Sequence, residues 1–157
     1  LAGASHPLGG LDHLLAMLAV GLWAAQQQGA ARCALPLSFI ASLLGGGLLG
    51  FAGIQLAGLE SFIASSVLAL GLLVAVAARL PLSLACGLTL LFGLSHGIAH
   101  GLELPSQVSP GLFAAGFVAA TAALHGAGFV LVRGLPQLAV RVAGLGAASC
   151  GLYLAFA

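Results

Sequence analysis

"PLSLACGLTLLFGLSHGIAHGL", from Pro81 to Leu102, runs for 22 residues without a single Asp, Glu, Lys or Arg. An α-helix rises about 1.5 Å per residue, so this stretch reaches roughly across the ~30 Å hydrocarbon core of a bilayer. It predicts a membrane-crossing helix. Pro81 stands at its start, where the missing backbone N–H would have had no intrahelical partner anyway. The same stretch ends with two histidines, His96 and His100, followed closely by Glu103. Ionisable side chains at membrane depth are costly unless they are paired, hydrated or bound to an ion. Each of these three therefore calls for a reason.

Outward from this segment the pattern repeats. The chain has 157 residues, 61% hydrophobic and 4% charged, and its four cations are all arginines. Soluble domains carry about 25% charged residues. Breaks at charges, prolines and polar clusters divide the chain into six apolar segments: Leu8 to Gln26, Ala34 to Ala57, Ser61 to Ala78, Pro81 to Leu102, Pro110 to Val132, and Pro136 to Ala155. The expectation is an all-α integral membrane protein, a single six-helix transmembrane domain over residues 1–157. Arg32, Arg79, Arg133 and Arg141 all fall in or beside connections on one side of such a bundle. The positive-inside rule makes that side cytoplasmic and places both termini on the extracytoplasmic side. Three helices on either side of the midpoint would then have opposite topology, as in an inverted repeat.

Several classes drop out. A net charge of +1 offers nothing for nucleic acid. No basic stretch precedes the first apolar run, so no signal peptide is expected. Cys33, Cys86 and Cys150 have no metal or disulfide spacing and read as small packing residues. Gly46 and Gly50, four apart, suit close helix approach in lipid, and glycine-lined faces of this kind would also permit a homo-oligomer.

The polar groups gather on the outer half. His6, Asp12, His13, Glu60, His96, His100 and Glu103 all map there, leaving His125 on the inner half. His96, His100 and Glu103 are spaced four and three apart and form one stripe on a helix. Two imidazoles and a carboxylate supply nitrogen and oxygen donors for a divalent transition metal. The small Gly97, Ala99 and Gly101 between them leave room for a neighbouring helix. Asp12 and His13 are adjacent and point about 100° apart on a helix, so one is expected to bind while the other orients a ligand. Met17, one turn beyond His13, is a thioether donor or, more simply, a core residue. Glu60, at a helix start, complements the helix dipole or joins the metal path.

The residues His6, Asp12 and His13 with "LLAM" behind them, and "HGIAHGLE" from His96 to Glu103, resemble the HupE/UreJ family of hydrogenase and urease accessory membrane proteins. "ESFIASSVLALG" from Glu60 and "LHGAG" from Leu124 extend the resemblance over nearly the whole chain. Ser95 stands where the family pattern often has an aromatic residue. The resemblance implies a multi-pass protein of the bacterial inner membrane, a permease for Ni2+, or for Co2+ or another divalent metal, serving metalloenzyme maturation. On that resemblance His6, Asp12, His13, His96, His100 and Glu103 would handle the ion. Met17, Glu60 and His125 are secondary candidates on their own chemistry, His125 being either a polar contact between helices or a later station in the inner half.

No enzyme activity and no prosthetic group are expected; the metal is the transported substrate. Without a phosphate-binding loop the chain has no means of using ATP directly, and the membrane potential suffices to draw in a dication. Two alternatives belong to other classes. A haem-binding electron-transfer protein would use His13 and His96 as facing axial ligands, and an intramembrane hydrolase would need an activated nucleophile, whereas Ser95 and His96, adjacent on a helix, point apart.

Overall fold

The computed structural model describes residues 3, 9–104 and 108–156. It contains six principal helices: α1 (Leu11–Gln26), α2 (Ala31–Phe51), α3 (Leu59–Ala75), α4 (Leu82–Leu102), α5 (Pro110–Gly134) and α6 (Gln137–Phe156). No strand occurs among the described residues. α2, α4, α5 and α6 are long and apolar enough to cross a membrane by length and composition. α1 and α3 are apolar but shorter, with 16 and 17 residues.

Most helix boundaries fall within a few residues of the sequence expectation, but α2 departs from it. It starts at Ala31 and ends at Phe51, six residues before the expected end at Ala57. The reason is a Schellman stop. Gly53 takes the left-handed conformation at φ 84°, the Ile54 N–H donates to the Leu49 carbonyl, and the Gly53 N–H donates to the Gly50 carbonyl. α3 ends the same way, with Ala78 donating to Leu73 and Ala77 to Val74. There the left-handed position is occupied by an alanine, Ala77, at φ 50°.

Three pairings dominate the packing: α2 with α4, α3 with α6, and α1 with α5. Exchanging the first three helices for the last three maps this set onto itself, the contact pattern expected of two related halves. Glycines make the pairings close. A Cβ at Gly46 or Gly50 of α2 would overlap the Leu94 or Ile98 carbonyl of α4, and one at Gly97 or Gly101 would overlap the Leu43 or Gly47 carbonyl of α2. α1 meets α5 at Gly21 and Gly128, and α3 meets α6 at Gly71, Gly144 and Gly151. This is backbone-to-backbone contact of the kind that holds helices together where the surroundings are as apolar as the side chains.

α1 is the most enclosed element. Met17, Val20 and Trp23 are fully buried and form the core with Phe39, Leu35, Val67 and Leu70. At the arginine-bearing end, carbonyls in the last turn of α3 and just beyond it are satisfied by side chains from α6 and from the end of α1. Trp23 Nε1 and Gln27 Nε2 donate to the Ala78 carbonyl, Gln26 Nε2 to Val74, and Arg141 Nε to Ala75. The four arginines thus flank connections at one end, and the acidic residues stand at the other. Cys33 is exposed rather than packed, while Cys86 and Cys150 are partly buried and all three are free.

Candidate metal-binding site

The starts of α1 and α3 and the end of α4 surround a depression of about 460 Å³, lined by Gly9, Gly10, Asp12, His13, Glu60, His100 and Glu103. All three acidic residues of the chain border it. At its floor stand the imidazoles of His13 and His100, with His96 packed behind against His13. The His13 ring lies 4.6 Å from the His96 ring and 4.0 Å from the His100 ring, in edge contacts. All three are buried, His96 completely. Segments about eighty residues apart in sequence therefore meet at one point. The helix that packs on Gly97 and Gly101 is α2, while α1 contributes His13 from the other side.

The hydrogen bonds fix two tautomers. His13 Nδ1 lies 2.8 Å from Asp12 Oδ1. A carboxylate only accepts, so the proton sits on Nδ1 and the Nε2 lone pair is available. Asp12 thus orients the His13 ring. On the other ring, His96 Nε2 lies 2.9 Å from Ser66 Oγ, whose own single proton is donated to the Ile63 carbonyl at 2.7 Å. The hydroxyl must therefore accept from His96, leaving Nδ1 with its lone pair. Both lone-pair atoms, His13 Nε2 and His96 Nδ1, are buried without a hydrogen-bond partner. An unsatisfied buried polar atom costs about 1–3 kcal/mol, and a ligand that accepts the lone pair removes that cost. Among the described residues, no three such donors already form a complete metal-binding group. The arrangement is a set of oriented donors rather than a closed cage.

Glu103 caps the end of α4, with Oε2 3.9 Å from His100 Nδ1 and its side chain largely exposed. It stands at the rim of the depression, as does Glu60. His6 lies outside the described residues. Met17 is fully buried in the core, and its sulfur accepts a hydrogen bond from Thr121 Oγ1 at 3.4 Å. His125 belongs to a deeper layer. Phe39 packs between it and the cluster, 5.9 Å from the His96 ring and 5.3 Å from the His125 ring. Nothing in the sequence distinguishes Ser66 or Phe39. Neither carries a charge, and their positions depend on α3 and α2 crossing α4.

The two alternative chemistries meet specific obstacles. Axial haem ligands must stand on opposite sides of a macrocycle, whereas His13 and His96 touch edge to face, so these residues do not fit that group. For a hydrolase, Ser95 donates to the Phe92 carbonyl. Ser66 does contact an imidazole, but its proton is engaged by Ile63 and the residue is fully buried.

The chain matches the family described as HupE / UreJ protein over residues 1–154. It is 43% identical over 158 residues to Protein HupE of Rhizobium leguminosarum bv. viciae, covering 98% of this chain and 83% of that one. No solved structure matches it.

Proposed function

The chain belongs to the HupE/UreJ family of hydrogenase and urease accessory proteins, and from that premise we propose that it is a permease for a divalent transition metal, Ni2+ first and Co2+ second. The observation that carries this reading is the pair of oriented, unpartnered imidazole nitrogens, His13 Nε2 and His96 Nδ1, on touching rings beneath an acidic depression.

The proposed order of events follows the donors from rim to floor. Glu60, Glu103 and Asp12 raise the local concentration of cations at the mouth, with His6 preceding them in the chain. The ion exchanges part of its water for imidazole nitrogen at His13, His96 and His100. Asp12 and Ser66 hold two of those rings in the tautomer that offers a lone pair. An open set of moderate donors lets an ion enter and leave, where a complete cage would retain it. α1 and α3, each about 25 Å long at 1.5 Å per residue, are short for a bilayer. Their starts line the depression, which brings the donors toward the outer surface without a long pore.

The chain is read as crossing the bacterial inner membrane six times, with the arginine end cytoplasmic and both termini outside. It has no catalytic role; the membrane potential, about 2.3 kcal/mol per charge per 100 mV, drives entry of the dication.

The test is uptake of Ni2+ into liposomes containing the purified protein. Potential-driven uptake that is lost in His13→Ala and His96→Ala supports the reading; uptake unchanged in both variants overturns it.

A further inference from the structure

Below Phe39 lies a histidine that the outer cluster does not use. His125 is 3% exposed, and neither of its ring nitrogens has a hydrogen-bond partner. A neutral imidazole owns one N–H and one lone pair, so both kinds of polar atom are buried and unsatisfied on one ring. A packing role alone would be served better by an apolar side chain of the same shape.

The ring is also held in place. α5 meets α1 at backbone distance, with the Gly21 Cα facing the His125 carbonyl and Gly128 facing Leu18 and Leu22, so His125 has no route outward by rotation of its helix. One turn toward the depression, on the same two helices, stand Thr121 and Met17 with their hydroxyl-to-sulfur contact. This α1–α5 crossing therefore assembles an imidazole and a thioether, donors of borderline and soft character, with no carboxylate. The His125 ring also meets the Phe39 ring in an edge contact.

We infer that His125 is a second, inner metal-binding station, separated from the three-histidine cluster by Phe39, that takes a divalent transition cation through its imidazole. The inference rests on the permease reading and adds to it. Lacking a carboxylate partner to orient its ring, the inner station binds more weakly than the outer one. That order suits release toward the arginine end.

Co2+ is the probe, because its visible spectrum reports ligand number and type. The full chain, in detergent, is titrated by equilibrium dialysis beside His125→Phe, His13→Ala/His96→Ala and the triple variant. The wild type is expected to bind a tight and a weaker equivalent. His125→Phe keeps the tight one alone, the double variant keeps the weaker one alone, and the triple variant binds none. Phe preserves the ring contact with Phe39 and removes both unsatisfied nitrogens, so His125→Phe should melt no lower than wild type. Uptake by this variant falls by an order of magnitude with outer-site affinity unchanged. If His125→Phe binds as many Co2+ ions as wild type with the same spectrum, the inner station is overturned and the outer site stands. If the wild type binds none, both readings fail.

Discussion

Ser66 sets the tautomer of His96. Its Oγ sits 2.9 Å from His96 Nε2 while giving its own proton to the Ile63 carbonyl, so His96 keeps its proton on Nε2 and leaves the buried Nδ1 lone pair without a hydrogen-bond partner. Asp12 does the same for His13 through the opposite ring nitrogen. Two histidines brought together from distant segments thus present bare nitrogens, each held there by a partner on the far side of its ring.

Ser66→Ala tests the first of these links. It leaves the buried His96 N–H without an acceptor, at a cost of about 1–3 kcal/mol, and frees the ring to adopt the other tautomer. Removing such an orienting partner typically lowers metal affinity about 10–100-fold. Equilibrium binding of Ni2+ should show that loss in Ser66→Ala and its partial recovery in Ser66→Thr, which restores a hydroxyl. Wild-type affinity in the alanine variant would contradict the role.

Asp12→Asn tests the second. The amide oxygen can still accept from His13 Nδ1, so the fold holds, but the negative charge that strengthens the bond is gone. Nickel affinity is expected to fall about tenfold or more with little change in melting temperature. A comparable fall in melting temperature with unchanged affinity would assign Asp12 to stability instead.

Much of this was legible in the sequence because the chain has so few polar residues. In a chain with 4% charged residues, each His, Asp and Glu stands out against an apolar background, and helical spacing alone puts His96 and His100 on one face. The existence of the six helices followed from the same contrast. What stayed hidden depends on helix crossings. Ser66 is one of several serines in its segment, and Phe39 is one of eight phenylalanines; only the meeting of α2, α3 and α4 distinguishes them. The end of α2 was hidden because "GGGLLGFAG" offers several glycines on which a helix can stop, and backbone geometry selects Gly53.

Gly97→Ala tests whether the close α2–α4 contact positions the donors. The added methyl would overlap the Leu43 carbonyl, a backbone atom that moves only with its helix. Separation of the two helices displaces His96 and His100 together. The expected result is a lower melting temperature and loss of Ni2+ binding. Gly87→Ala on the same helix, where a Cβ meets nothing within 4 Å, should leave both unchanged.

Ala77→Gly should stabilise the protein. Ala77 holds a left-handed conformation at φ 50°, which costs an L-residue about 1–2 kcal/mol. Glycine removes that strain and adds about 0.5–1 kcal/mol of chain entropy to the unfolded state. The net gain, about 0–1.5 kcal/mol, should appear as a higher melting temperature with Ni2+ uptake unaffected.

Nickel K-edge X-ray absorption on the purified full chain loaded with one Ni2+ equivalent tells whether histidines hold the ion, because imidazole ligands leave a multiple-scattering signature that water and carboxylate do not. Two or three imidazoles are expected around the ion in the wild type, with one fewer in His13→Ala and in His96→Ala. A shell made only of oxygen donors, or an imidazole signature untouched by both substitutions, would contradict this ligation.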